Sequence, residues 1–371
     1  MLLTRKASSK YSLLPDSDSP AQTTEKPLRS RLLRSSYALT GFLLISSILV
    51  LVVLLTPKPR STCTQPRLRQ EWRTLSHDER QSYLAAARCL TRVPSSSLPN
   101  ATIHDEFSLI HSRVGNYSHD AAPFLPWHRF FIHAYEAALQ KHCQYDGITP
   151  YWDWSLDYQN LLKSPIWSAD EGFGPDGDKG TSSNMNPNPS PNPNPSTSVN
   201  GHCVVDGPFA GLTPVYYDGE YQPHCLSRGF LDEETVKRVG NLTMRPSVLQ
   251  ELVRNESSYF DFLLRVETMS HLTIPYVVQG DFRTVTAPND PVFYLHHGQV
   301  DRLWWSWQQM SSERKIEYNG PARNDEPVDA DVNDELDFGG LFPSLARVTV
   351  GDVMDTESGV LCYQYDRSIL E

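Results

Sequence analysis

The sequence predicts a mainly helical domain behind a single membrane-spanning helix, and three observations predict it. An uncharged, mostly apolar run occupies 37–56. Downstream, several stretches repeat their apolar residues at three- and four-residue steps, the period of a half-buried helix. Histidines then gather inside or beside those stretches, at 104, 111, 119, 128 and 133 and again at 271, 296 and 297.

The run YALTGFLLISSILVLVVLLT at 37–56 is long enough for a bilayer, since a helix of about twenty residues spans a hydrocarbon core of roughly 30 Å. Pro57 and Pro59 end it. A buried soluble helix would show a polar face, and this run has none. A cleaved signal peptide is the other alternative; the polar tail at 1–36 is long for one, and no clear small-residue cleavage site follows. A signal anchor fits best. Lys26, Arg29, Arg31 and Arg34 before the run balance Lys58, Arg60, Arg67 and Arg69 after it, so the flanking positive charge does not set the orientation. Sequons at Asn100, Asn116, Asn241 and Asn255, and all six cysteines, lie downstream. Both suit a glycosylating, oxidising compartment. The expectation is a cytosolic tail at 1–36, an anchor at 37–56 and a lumenal or extracellular domain at 62–371.

That domain has enough chain to bury a core. A formal charge of -11 over 371 residues argues against nucleic acid as a partner, because a binder needs a basic face. None of the cysteines forms a CxxC pair, which argues against a zinc ribbon; three disulfides are compatible with the count, with pairing left open.

Four stretches carry the helical period: RQEWRTLSHDERQSYLAAARCL at 69–90, HRFFIHAYEAALQKHC at 128–143, VLQELVRNESSYFDFLLRVETMSH at 248–271 and HHGQVDRLWWSWQQM at 296–310. Trp304, Trp305 and Trp307 in the last read as core packing. The end of the chain is turn-rich, with short β-like runs such as RVTV at 347–350. The segment at about 176–200 contains NMNPNPSPNPNPSTS and cannot bury a core. It reads as a surface insertion within one domain; a linker between two domains is disfavoured because histidines on both sides of it are needed together.

Neutral imidazoles in threes suit copper, among other imidazole-binding metals. His119, Phe124, Leu125, Trp127, His128, Arg129, Ile132 and Glu136, in that spacing, resemble the copper-A signature of tyrosinases, and PYWDWSLD at 150–157 resembles the segment that follows it there. The resemblance implies His119 and His128 as the second and third ligands of one copper. For the first, His111 is preferred over His104, with both kept open. Asp290, Pro291, Phe293, Tyr294, His297 and Asp301 resemble the copper-B signature. There His297 is implied as a ligand, His296 as a neighbour shaping the pocket, and His271 as the first copper-B ligand.

The chain departs from the family in three places. The family has HxxxH where this chain has His271 and Pro275, so one imidazole is missing and proline is expected to interrupt the helix. Copper B then either recruits His296, His104 or another group, or is weak. Leu272 replaces the asparagine often found in monophenol hydroxylases, which makes diphenol or aminophenol oxidation the expected activity. Tyr117 stands where some fungal members carry a cysteine cross-linked to histidine.

The resemblance implies a four-helix-bundle core holding two coppers of a type-3 centre, with irregular loops. It also implies an oxidase of small phenolic or catecholic substrates, free or peptide-borne, with O2 as oxidant. The nearest likeness is to short fungal members that tailor secondary metabolites. Phe293 and His296 are expected to line the entrance, and Arg129 and Asp301 to pair across the two half-sites, since a buried charge needs a partner. A degenerate copper- or oxygen-binding protein is the alternative that Pro275 keeps open.

Overall fold

The computed structural model describes residues 63–181, 201–339 and 347–371. The predicted tail at 1–36 and anchor at 37–56 lie outside them. Among the described residues no helix is long and apolar enough to cross a membrane. All of them belong to one compact unit at 60–371.

The first predicted helix begins later than its periodicity suggests. Arg67–Arg69 is a strand and Trp72–Thr74 a single 3-10 turn. Helix α1 spans His77–Leu90. Ser76 sets its start: its hydroxyl accepts from Glu79 N–H while the Glu79 carboxylate accepts from Ser76 N–H, satisfying two otherwise unpaired donors. The same reciprocal cap, Thr102 with Asp105, opens α2, Ile103–Ser118. Helix α3, Phe124–Cys143, tolerates Pro126 because it sits in the first turn, where an N–H has no intrahelical partner.

The third predicted stretch is not one helix. After α4, Glu233–Thr243, come α5, Pro246–Asn255, and α6, Tyr259–Arg265, followed by a π-helical turn, Val266–His271, and α7, Leu272–Val278. Pro275 does not break α7. It is the fourth residue of that helix, one turn beyond the π-helical segment from which the helix continues. The last predicted helix is α8, Phe293–Gln308, buried along nearly its whole length, with Trp304 and Trp307 fully in the core and Trp305 partly so.

Helices α3 and α8 pack against each other, with α1 behind α3. The bundle around the histidines is therefore α2, α3, the π turn with α7, and α8; α1 buttresses it and is stapled to α3 by Cys89–Cys143. The other disulfides are Cys63–Cys362 and Cys203–Cys225, so no described cysteine is free. The β content is two-stranded ribbons. Arg67–Arg69 pairs in parallel with Tyr363–Tyr365, closing the two ends of the domain on each other. The run at 347–350 is not a strand: Thr349 makes an isolated bridge to Glu335 and a helical turn starts at Val350. The predicted insertion begins later than 176, because Asp176 accepts from Phe230 N–H at 2.9 Å and Asp178 N–H donates to the Cys203 carbonyl at 2.9 Å; 182–200 lie outside the described residues.

Candidate metal centre

Three imidazoles meet between α2 and α3. His111 comes from the body of α2, His119 is the residue that ends it, and His128 lies in α3 just past its first turn. Their ligand atoms lie within 4.8 Å of one another. Each ring is held by its Nδ1. That of His111 donates to the Val285 carbonyl at 2.6 Å, that of His128 to the Phe124 carbonyl at 2.8 Å, and that of His119 faces Glu267 Oε1 at 2.7 Å. A carbonyl can only accept, so the nitrogen facing it carries the proton. In the neutral rings of His111 and His128 the Nε2 atoms then hold lone pairs, and these two atoms oppose each other at 3.3 Å. Two facing lone pairs repel; a cation between the rings turns the repulsion into ligation. Burial, with neighbouring imidazoles adding to it, lowers the His111 pKa to about 3 and pushes His128 well below its ordinary value. Burial lowers His119 to about 4. The rings are neutral, as metal ligands must be.

A second trio meets between the π turn and α8. His271 closes the π turn, and His296 and His297 follow one another near the start of α8. Their ligand atoms also lie within 4.8 Å. The Nδ1 of His271 and both ring nitrogens of His296 and of His297 are buried without a hydrogen-bond partner. An unmet buried polar group costs about 1–3 kcal/mol, so five on three adjacent rings mark a place built for a ligand. A metal ion fits: the donors are neutral nitrogens, converging and out of water.

The two trios face each other. The rings of His128 and His297 stack at 4.2 Å and those of His119 and His271 lie 5.7 Å apart. Phe124 sits at the seam, 4.7 Å from His128 and 5.0 Å from His271. Phe293 closes the inner side, 4.3 Å from His297 and 5.1 Å from His111.

Of the histidines weighed on sequence, His111, His119, His128, His271 and His297 are brought together as two facing groups. His296, expected either as a neighbour or as a recruit to copper B, stands inside the second group. His104 belongs to neither: it is fully buried in α2 with Nε2 at 3.1 Å from the Asn289 carbonyl. Arg129 and Asp301 do pair, Nε to Oδ1 at 2.5 Å. Of the sequons, Asn100 and Asn255 are exposed, and Asn241 is half-buried with its amide on the Lys237 carbonyl.

Glu267 was missed on sequence. It lies in the π turn that carries His271, yet its carboxylate holds His119 of the other trio and also accepts from Asp120 N–H at 3.0 Å. Burial, and then Asp120, raise its pKa well above the usual carboxylate range. The only signal was its place four residues before His271. A carboxylate on the far nitrogen fixes the tautomer and orientation of a ligating imidazole. Glu267→Gln is therefore expected to weaken copper binding at the first trio about ten- to hundredfold, read by competition with a chelator; unchanged affinity would deny Glu267 that role.

Two sets of three neutral imidazoles, buried except for the half-buried His119, suit a type-3 dicopper centre. A family model for the common central domain of tyrosinase matches residues 101–310. The chain is 43% identical over 305 residues to tyrosinase-like protein phomQ2 of Diaporthe leptostromiformis, covering 82% of this chain and 74% of that protein. It is 31% identical over 349 residues to N-acetyl-6-hydroxytryptophan oxidase ivoB of Emericella nidulans, covering 81% and 92%. Its fold matches a variant of polyphenol oxidase from Thermothelomyces thermophila with a TM-score of 0.68 and 26% identity, over 91% of this chain and 94% of that one. With the signatures, the two trios and these likenesses in agreement, the chain belongs to the tyrosinase family.

Proposed function

We propose that this protein is a dicopper oxidase of phenolic or catecholic rings that uses O2 and tailors a secondary metabolite. The observation that carries the reading is the pair of facing imidazole trios whose ring nitrogens converge. His111, His119 and His128 would hold one copper, and His271, His296 and His297 the other. Bound copper would supply the redox chemistry between the ring and O2. The chain's own residues hold and shield that chemistry. The Val285 and Phe124 carbonyls keep the Nδ1 protons of His111 and His128, which leaves their Nε2 atoms free to ligate, and Glu267 orients the His119 ring. Phe124 and Phe293 wall the rings off from water, where ligand exchange and leakage of oxidising equivalents would compete.

Oxidation of diphenols or aminophenols is favoured over hydroxylation of monophenols. Leu272, beside His271, offers no polar group to position a water that would take the phenol proton. A relative named for oxidising a hydroxylated tryptophan supports a ring-oxidising role. The run at 37–56 would anchor the chain with its catalytic domain lumenal or outside the cell, in keeping with three disulfides.

Copper analysis of the purified protein, with O2 uptake and quinone trapping on catechol, tests this reading. Two coppers per chain and O2-dependent turnover are expected; less than about one copper with no O2 uptake would sink it. Glycosidase shift and protease protection of the domain in microsomes test the placement.

A further inference from the structure

We infer that the buried His224–Asp281 ion pair positions His111 through the Val285 carbonyl, and does so only while His224 is charged. The inference rests on the proposed dicopper reading for what His111 does, and one of its readouts needs no metal.

The chain at 280–289, between α7 and α8, touches both trios. Its Val285 carbonyl accepts from His111 Nδ1 at 2.6 Å, and its Phe282 ring lies 5.6 Å from that of His296. Asp281 closes this loop on itself. Its Oδ1 accepts from Asn289 Nδ2 at 2.9 Å, and its carbonyl accepts from the Thr284 N–H at 3.3 Å and the Thr284 hydroxyl at 3.1 Å. The Thr284 and Thr286 hydroxyls, on either side of Val285 in sequence, meet at 2.8 Å. Val285 is therefore presented from the middle of a loop whose two ends one carboxylate ties. The same carboxylate fastens the loop to the segment that follows Cys225, itself bonded to Cys203. Its Oδ2 accepts from the Ser227 N–H at 2.8 Å and the Ser227 hydroxyl at 2.9 Å, and its Oδ1 faces His224 Nε2 at 2.7 Å. Gly280 allows this approach: its φ is +59°, and a Cβ there would overlap the Ser227 carbonyl.

The hydrogen bonds fix the charges. Two donors reach each oxygen of Asp281, which leaves no place for a proton on it, so it is ionised. His224 Nδ1 faces the Gln222 carbonyl at 2.7 Å, and a carbonyl only accepts. With an acceptor at each ring nitrogen, His224 carries both protons. The two side chains are 1% and 0% exposed, so losing one charge strands the other away from water. Around the ring, Asp105 of α2 also favours the charged form, and Tyr217 presents its ring edgewise at 5.4 Å. Arg228 is paired with Asp290, and His104, which also feels Asp281, is kept neutral by burial. Burial alone would lower the His224 pKa; Asp281, the Gln222 carbonyl and Asp105 outweigh it and raise it. A group raised on folding stabilises fully below its ordinary value and loses that contribution as pH climbs through the raised one. The hold on His111 is thus complete in acid and is released on the alkaline side of about 6.5, the ordinary imidazole value.

Competition with a Cu(I) chelator, run on the wild type and His224→Gln from about pH 6 to about pH 9, tests this. The ratio of the two affinities cancels the proton release and chelator titration common to both. About tenfold tighter binding by the wild type is expected at the acidic end, shrinking to equality at the alkaline end. In parallel, NMR follows exchange of the His111 Nδ1 proton in the full chain without copper, with Asp281→Asn as a second variant. That exchange should be about tenfold slower in the wild type than in either variant in acid, with the gap closing as pH rises. If neither variant folds, the wild type still decides: its His224 ring should hold both protons at neutral pH, and His111 exchange should steepen beyond base catalysis as His224 titrates. A pH-independent affinity ratio, equal His111 exchange in wild type and variants, or a neutral His224 ring in acid overturns the inference. So does a melting temperature that falls with pH while copper affinity and His111 exchange do not change, which is what a purely structural clasp would give. A wild type that binds no copper at any pH, yet shows the expected His111 exchange, would sink the dicopper reading and leave the hold on His111 standing.

Discussion

His296→Ala is expected to lower the copper content from two ions per chain to about one, with catechol oxidation lost alongside. The trio that contains His296 has no substitute for it. Pro275 occupies the position one turn after His271 where the family places an imidazole, and His104 is held away by the Asn289 carbonyl. With His296 gone, two neutral nitrogens remain to hold an ion that ordinarily takes three. The affinity loss should exceed the ten- to hundredfold that follows removal of an outer hydrogen-bonding partner. Apolar truncation of a buried ring also leaves a cavity, so thermal stability of the metal-free protein must be measured in parallel to separate lost packing from lost ligation. Pro275→His in the His296→Ala background supplies the decisive comparison. Restored copper there, with little gain from Pro275→His alone, would show that the two positions substitute for each other, a coupling that a double-mutant cycle measures directly. Full copper in His296→Ala would show that His296 only packs against His271, at the 5.1 Å ring spacing it has in any case.

Much of this centre was legible in the sequence, for a physical reason. The residues around His119, His128 and His297 sit on contiguous stretches of helix or at their ends, so local spacing fixes which ring can meet which. What the sequence concealed depends on contacts between distant segments. Glu267 holds His119 across 148 residues of chain, and Val285 holds His111 across 174. Neither contact leaves a local pattern. The family pattern makes His296 a neighbour, while the proline at 275 makes it a candidate recruit, and spacing alone does not choose between the two. Adjacent residues on a helix point about 100° apart, so His296 and His297 cannot both face one partner squarely; here their two rings converge with His271, which arrives on a π turn. The π turn itself, a single extra residue per hydrogen bond, is invisible to a 3.6-residue period and is a common device at functional sites. The helix starts were misjudged for a similar reason: apolar periodicity ran back to Arg69, but the Ser76–Glu79 cap decides where the helix begins.

The second large effect should come from the ion pair between the two metal-bearing helices. Arg129 follows His128 on α3, and Asp301 lies one turn beyond His297 on α8. Both side chains are essentially out of water, at 0% and 2% exposure. The guanidinium has every face occupied. Nε donates to Asp301, Nη1 to the Val353 and Met354 carbonyls and Nη2 to Gln308, with the plane 3.6 Å from the Trp304 ring. Asp301 in turn accepts from the hydroxyls of Tyr363 and Tyr365 and lies 3.7 Å from Arg69. These two tyrosines belong to the strand that pairs with Arg67–Arg69, so one carboxylate joins both metal-bearing helices to the closed ends of the domain. Replacing such a pair by matched apolar groups can be nearly neutral, but removing one partner leaves a bare buried charge and costs about 3–5 kcal/mol. Arg129→Ala strands Asp301 against two tyrosines and a single remaining arginine; Asp301→Asn strands the Arg129 guanidinium, while Arg69 keeps Glu136 at 3.4 Å. Each is expected to lower the melting temperature by on the order of 10 °C, and to release copper at a correspondingly lower temperature, because the helices that present His128 and His297 lose their common tie. Arg129→Lys should behave like the alanine variant, since an ammonium cannot reach a carboxylate, two carbonyls and an amide at once. A melting temperature within about 2 °C of the wild type in Asp301→Asn would show that the hydroxyls of Tyr363 and Tyr365 carry the junction unaided, and that the charge itself is dispensable.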